Sequence, residues 1–430
     1  MPRILHLGLG NFHRAHQAWY TALAGDWSVT GVVMGNAALY AALVAQGGAY
    51  HLGIRGADGL HIQKIAIHDR LLLAQAVPQA VIAAIADPEV KIITLTVTEK
   101  GYGLGADGRL DLKSPAIAAD LTQNPLSAIG LLAHGLALRS APVTVISCDN
   151  VSGNGHKLRA AITDFARAAG LRLSMDIRFP DTMVDRITPA STDAIRSEIE
   201  AASGATDPAA VLTEAFSEWI IEDDFAGPRP AWENAGVEIV PDVGPYEMRK
   251  LRLLNAAHSY LAYAGLLAGY RYVHEAIADT ALRAAVEQLW DEAQATLPDN
   301  VQASTPAYRA ALVERFAVAE MRHELAQIAC DGSLKLRERI VPLLTGTSDA
   351  PQARQALAAW IAFVVWKRDR GERVQDPNAN QIAAHLAANL DTWSLCKSLM
   401  GLIGPPDAPL EWHAALVSDV DKLIGKGSAL

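Results

Sequence analysis

Three side chains able to manage a proton and an oxygen stand close together near the middle of the chain. In Glu247-Met248-Arg249-Lys250-Leu251-Arg252-Leu253-Leu254-Asn255-Ala256-Ala257-His258, an amine, an amide and an imidazole recur at intervals of five and three residues. At about 100° per helical residue, with Lys250 as zero, Glu247 falls near 60°, His258 near 80° and Asn255 near 140°, so a helix sets them along one cleft. The axial distance from Lys250 to His258 is about 12 Å, which fits an extended small molecule rather than a single atom. Lys250 is the proton carrier of the set, because an ammonium taken out of water or placed near positive charge gives up its proton closer to neutrality, while an amide polarises oxygen without titrating. The plainer alternative is a helix with Arg249, Lys250 and Arg252 in solvent and Asn255 and His258 satisfying local hydrogen bonds.

Other polar residues stand where apolar runs end. Ile4-Leu5-His6-Leu7 leads into Gly8-Leu9-Gly10-Asn11-Phe12-His13-Arg14-Ala15-His16, the pattern of a buried strand entering a tight turn and a helix. Gly8 and Gly10 there let a pyrophosphate approach backbone amides and the positive end of a helix. His13 replaces the third glycine of the usual fingerprint, and a purely structural turn is the alternative. Asn11, Phe12 and Arg14 belong to the same candidate cofactor loop, with Arg14 facing either phosphate or solvent. Met34-Gly35-Asn36 offers neither the acid that holds the ribose of NAD nor the arginine that suits NADP; NAD is favoured and NADP stays open.

Thr96-Val97-Thr98-Glu99-Lys100-Gly101-Tyr102 follows another strand-like run and puts Thr98, Glu99 and Lys100 at the same sheet edge, the alternative being a strand-end cap with a surface ion pair. In Ser147-Cys148-Asp149-Asn150, Asn150 either donates its amide to a developing alkoxide or turns the chain. Asp185 and Arg186 are a ligand-binding pair or a structural ion pair, and Lys335 meets a substrate oxygen or caps a helix. Neither an HExxH pattern nor a Gly-x-Ser-x-Gly elbow occurs, so no metal site is expected.

The scaffold that must position these groups is read from composition and periodicity. The 430 residues are 50% hydrophobic and 20% charged with a net charge of -10, which points to two folded domains and gives no support for nucleic acid or an anionic membrane as partner. Apolar runs are too short for a membrane span, the first one is too short for a signal peptide, and Cys148, Cys330 and Cys396 match no disulfide or zinc framework. A soluble, cytoplasmic monomer or weak homo-oligomer with a small-molecule partner is expected. Strand-like runs at 4–7, 29–34, 91–97 and 142–147 alternate with helical stretches at 11–23, 78–86 and 127–138, predicting an α/β fold with a mostly parallel sheet and an irregular insertion over 36–70. From about residue 250 the texture is helical, over 251–271, 274–296, 305–329, 351–368 and 378–390. The acidic and then Gly/Pro-rich stretch 219–230 reads as a linker and places the domains at 1–225 and 226–430.

The glycine loop 8–16, the turn 96–102, Ser147-Cys148-Asp149-Asn150, Met183-Val184-Asp185-Arg186-Ile187-Thr188-Pro189, the segment 250–258 and Asp331-Gly332-Ser333-Leu334-Lys335, taken in order, resemble the mannitol dehydrogenase family of polyol dehydrogenases and hexuronate reductases. The resemblance implies a Rossmann-like N-terminal domain, a mainly α-helical C-terminal domain and metal-independent hydride transfer between a nicotinamide and a sugar-derived alcohol or ketone. It implies Lys250 as general acid/base, Asn150 and Asn255 as the amides that hold the reacting oxygen, His258 as the residue that orients a hydroxyl, and Asp185 and Lys335 as further substrate ligands. Glu247 would act on proton or water access. In mannitol-oxidising members an arginine is expected eight residues before the lysine of the Asp-Gly-Ser-x-Lys segment, where Gln327 stands here. The Gln-Ile-Ala-x-Asp-Gly-Ser pattern resembles the fructuronate-reductase branch, so the expected substrate pair is a keto-uronate and an aldonate-like hydroxy acid, with polyol-to-ketose oxidation as the alternative and a catalytically inactive sugar- or nucleotide-binding protein as a third. Members usually carry more sequence before the first strand, so a compact version of the family is expected.

Overall fold

The computed structural model describes residues 2–105, 108–121, 124–173, 176–346, 350–388, 390–404 and 410–427. The chain divides into two units, Met1–Gly244 and Pro245–Leu430. The described strands of the first are β1 Arg3–Leu7, β2 Ser28–Val33, β3 Tyr50–Gly56, β4 Gly59–Ile65, β5 His68–Leu73, β6 Val90–Leu95, β7 Val143–Ser147, β8 Ile177–Arg178, β9 Thr182–Asp185, β10 Val211–Glu214, β11 Glu218–Glu222 and β12 Glu238–Val240. Six of them form one sheet in the order β5-β2-β1-β6-β7-β8, every neighbouring pair parallel.

The side-chain period of two explains how this sheet is buried on both faces. Leu5, Leu7, Ile93, Leu95, Val143 and Val145 fill one core, while Ile4, Val29, Val33, Ile92 and Ile146 fill the other. The first core packs against helices such as Pro78–Ala86, Ala128–Ala137 and Asn154–Ala168. The second takes in Ala15 and Ala18, together with Trp219 and Trp232.

Three local expectations change. The stretch 11–23 is not one helix: α1 (Asn11–Ala15) and α2 (Gln17–Ala24) are separated at His16, whose backbone lies at φ -126°, ψ -85° and whose Nε2 sits 3.1 Å from the Glu218 carbonyl oxygen. The 36–70 insertion is regular, with helix α3 (Ala37–Ala45) followed by a β3-β4 hairpin turning at Ala57-Asp58, and β10 adding to its free edge. The 219–230 stretch begins inside the core rather than in a linker. Trp219, Ile220 and Ile221 are fully buried in β11, and Trp232 stands 4.8 Å from Trp219 and donates its indole N–H to Thr21. The acids that looked like a linker merely end that strand, so residues 226–244 stay with the first unit.

The second unit is built of helices. Its centre is Pro351–Asp369, buried continuously from Ala356 to Val365, as expected of a helix apolar all round and covered on every side. Among the described residues no helix is long and apolar enough to cross a membrane.

Candidate active site

In the first unit a cavity of about 490 Å³ opens where β1, β2 and β6 end, lined by residues 8–11, 33–36, 96–98 and Lys100 among others. This is the carboxyl edge of a parallel sheet, where strand β1 sends the chain to one side and β6 lies on the other. Gly8 has φ 94°, and a Cβ there would lie 2.1 Å from the Thr96 carbonyl oxygen, so only glycine fits. The amides of Gly8 and Leu9 both donate to the Val32 carbonyl at 3.0 Å, pinning the turn to β2. A Cβ at Gly10 would meet only the Gly8 carbonyl oxygen, at 3.5 Å, and α1 has no side-chain cap. Open space beside Gly10 and an uncapped helix start suit the pyrophosphate of a dinucleotide.

The neighbours of that turn divide into lining and support. Asn11 lines the cavity, but its amide donates to Pro189 O and Ser191 Oγ and its Oδ1 accepts from Arg14. Arg14 does not face phosphate or solvent. It is 2% exposed, and its guanidinium donates to Gly10 O, Asn11 Oδ1 and Ala209 O, so it braces the turn from behind. Phe12 stacks on His16 at 4.9 Å. Asn36 accepts from the Leu39 amide and caps α3, and it lines the cavity together with Met34 and Gly35.

Asp149, which the sequence reading passed over, fixes the 96–102 turn. Its buried carboxylate accepts from the Val97 amide at 3.1 Å, the Thr98 amide at 2.8 Å and the Tyr102 hydroxyl at 3.1 Å. Burial raises its pKa and the two amides pull it back. Thr98, held at φ 65°, and Lys100 reach the lining, whereas exposed Glu99 does not. Under the turn lies a column of buried histidines. His6 bridges the Thr94 and Thr96 hydroxyls and stacks on His13 at 3.4 Å, and His13 Nε2 lies 3.1 Å from His68 Nε2.

Asn150 follows β7 at the same sheet edge, and Asp185 is buried at the end of β9 opposite Glu218. Arg186 is a structural tie rather than a ligand-binding charge. Its donors go to the carbonyls of Ala15 and Glu214, and its guanidinium lies 4.3 Å from the Trp19 ring centre.

In the second unit the helix Gly244–Lys250 runs into a π-helical turn, Leu251–Asn255, before the helix Ala256–Leu267. A π turn is an α-helix carrying one inserted residue, which retards the wheel by roughly 100°. With Lys250 at zero, Asn255 then moves to about 40° and His258 to about -20°. The uniform wheel therefore understated how closely these groups share a face. Lys250, Asn255 and His258 are 7–8% exposed despite their polarity. Burial, and then the positive charge of nearby groups, holds the His258 pKa well below its ordinary value, and its Nε2 is buried without a hydrogen bond.

Lys335 sits in the helix Gly332–Arg339, with Nζ donating to the Ile328 carbonyl at 3.2 Å. Burial lowers its pKa, with Arg339 adding to the effect. Gly332 lets this helix start against an aromatic wall, because a Cβ there would lie 2.6 Å from both Trp360 Nε1 and Tyr263 Oη. Ser333 is held by the Asp376 carboxylate and by the Asn378 amide. Gln327 is exposed. Arg339 and His323 were missed, although Arg339 stands four residues after Lys335, where helical spacing puts it on the same face.

Residues 2–234 match the mannitol dehydrogenase Rossmann domain and residues 242–401 the mannitol dehydrogenase C-terminal domain. A D-mannonate oxidoreductase of Escherichia coli (strain K12) is 36% identical over 435 residues, covering 94% of this chain and 88% of the relative. A D-arabinitol 4-dehydrogenase of Ralstonia nicotianae (strain ATCC BAA-1114 / GMI1000) is 40% identical over 375 residues, covering 80% and 78%. The structure of Pseudomonas fluorescens mannitol 2-dehydrogenase in a ternary complex with NAD and D-mannitol superposes with a TM-score of 0.81 at 32% identity, covering 100% of this chain and 93% of that one. With a parallel sheet bearing a glycine turn, a helical unit carrying the lysine, and matches that run through both, the chain belongs to the mannitol dehydrogenase family.

Proposed function

We propose that the protein interconverts a fructuronate-like keto-uronate and an aldonate-like hydroxy acid, with NAD as the preferred carrier. As a member of its family it is a nicotinamide-dependent oxidoreductase of a sugar or polyol CH–OH group; the proposal concerns the substrate, the preferred cofactor and the residue roles. The observation that carries the roles is the buried set Lys250, Asn255 and His258 around the π turn.

A bound nicotinamide supplies the carbon that takes up or returns hydride. In oxidation Lys250 removes the hydroxyl proton, and in reduction it returns that proton to the oxygen. Asn255 donates its amide to the oxygen as alkoxide character develops, and Asn150 keeps the oxygen-binding role its motif implies. His258, kept neutral by burial, orients a hydroxyl of the substrate. Asp185 and Lys335 hold further substrate oxygens. Gly8 and Gly10 make room for the diphosphate, and Thr98 and Lys100 border the same cavity.

Gln327 supports the sugar acid, since its neutral amide stands where mannitol-oxidising members are expected to carry arginine. Similarity to a D-arabinitol 4-dehydrogenase and to a mannitol 2-dehydrogenase favours polyol-to-ketose oxidation as the second reading. Hexuronates and ketoses assayed with NADH and NADPH, and aldonates and polyols with NAD and NADP, separate the two; turnover of neutral polyols alone would sink the first. Lys250→Ala should lower kcat about 10²–10⁴-fold with cofactor binding and fold intact. Unchanged turnover would remove Lys250 from its role, and nicotinamide binding without turnover of any substrate would support a binding protein.

A further inference from the structure

The helical unit gathers more positive charge beside His258 than proton transfer uses. The His258 ring lies 5.1 Å from the half-buried ring of His323, edge to face, and 4.7 Å from Phe316. Arg339 follows Lys335 by one helical turn, and its Nη1 donates to Ser259 Oγ at 3.2 Å and to the Asn255 carbonyl at 3.5 Å. Its guanidinium is thereby fixed on the residue assigned to the reacting oxygen. Lys335 Nζ meets the Ile328 carbonyl. Among the described residues no carboxylate lies within 4 Å of the cationic nitrogens of Lys335 or Arg339 or of the His323 ring nitrogens. Asp331 and Asp376 near Lys335, and Glu338 near Arg339, offset part of this charge from beyond ion-pair distance, and Asp376 is occupied by Ser333 and by the Asn378 amide.

Like charges held out of water repel one another and gain from an anion that hydrogen-bonds to them. The His258 Nε2, buried and without a partner, marks the same place as short of a ligand atom. The charge also stands at a useful distance. His258 is eight residues along the helix from Lys250, roughly 10–12 Å, so the cationic group stands beyond the reacting carbon rather than on it.

We infer that His323, Lys335 and Arg339 form a carboxylate-binding subsite that makes the enzyme prefer sugar acids to neutral sugars of the same stereochemistry. This rests on the sugar-acid reading above and adds the residues that enforce it. A planar guanidinium donates to both oxygens of a carboxylate, the imidazole of His323 donates from the side, and Lys335 contributes a point charge.

The test uses the holoenzyme at saturating cofactor, with KM and kcat measured for a hexuronate and for the matching neutral ketohexose in wild type, Arg339→Gln, Arg339→Lys and His323→Asn. Arg339→Gln and His323→Asn should raise KM for the hexuronate about tenfold or more with much smaller changes in kcat and in the ketohexose parameters, and Arg339→Lys should recover part of the loss. Equal losses on both substrates, the mark of a residue that only supports Asn255, would overturn the subsite, as would an unchanged hexuronate KM. Should wild type turn over only neutral polyols, the sugar-acid reading fails by itself. The subsite is then judged by competitive inhibition with a hexonate against the polyol: inhibition that weakens in Arg339→Gln and His323→Asn sustains it, and its absence in wild type overturns it.

Discussion

A methyl group at position 8 would sit 2.1 Å from the Thr96 carbonyl oxygen in a backbone conformation of φ 94° that L-residues avoid. Gly8→Ala therefore costs on the order of 1–3 kcal/mol from conformation alone, and relief of the clash must open the turn between β1 and β6. The expected outcome is a lower thermal midpoint together with weaker NADH binding, read by fluorescence titration; unchanged affinity would detach the glycine turn from the cofactor. Asn36 sets a second residue-scale expectation. It caps its helix and borders the cavity without charge, so Asn36→Asp should shift the NADH-to-NADPH ratio of kcat/KM toward NADH by about tenfold, because a carboxylate there accepts from the ribose hydroxyls and repels a phosphate. A ratio that does not move would place the adenosine end elsewhere. At this scale the sequence displayed which groups could do chemistry but not which ones solvent or substrate would see. Arg14 and Arg186 are each offered by the sequence as a ligand-binding or a structural charge, and each sends a guanidinium donor to a carbonyl oxygen that only the finished fold brings close, Ala209 for the one and Ala15 and Glu214 for the other.

The elements that carry the chemistry differ in how openly the sequence announces them. The parallel strands were legible because a strand buried on both faces must be an unbroken aliphatic run, and the C-terminal helices because helix formers there lack strand alternation. The hairpin at 50–65 was hidden by polar residues on its outer face, and β11 by the acids that end it. The π turn was not legible at all, since a helical wheel assumes a constant pitch and the inserted residue shows only in the backbone. That turn carries a sharp expectation. Inserting one alanine after Leu251 should turn Lys250 by about a further 100° relative to Asn255 and His258. The expected outcome is a fall of at least about 10² in kcat with helical circular dichroism and cofactor affinity retained. Activity within a few fold of wild type would mean that the shared face of these residues is not what catalysis needs.

The whole molecule should be acid-sensitive for a reason visible in its burial. In the first unit His6 and His68 are pushed by burial to about 3 and about 4, and His13 well below its ordinary value. Arg14 faces the column with positive charge, while Asp69 beside His68 opposes the shift. Each folded pKa lies below its unfolded counterpart, so the unfolded chain takes up protons that the folded chain refuses. This contribution is complete above about pH 6.5 and is lost progressively as the pH falls toward the folded values. The thermal midpoint should thus decline steadily below pH 6.5, and His68→Gln should flatten the decline; a midpoint independent of pH between 7 and 5 would contradict it. The division of the chain has a different consequence. It passes from one unit to the other once, at residues 244–245, leaving the glycine turn wholly upstream and Lys250, Asn255, His258 and the cationic cluster wholly downstream. A single genetic crossover at that junction would exchange one relative's lysine-bearing block for another's while the coenzyme turn, together with Asn150 and Asp185, stayed with its own half.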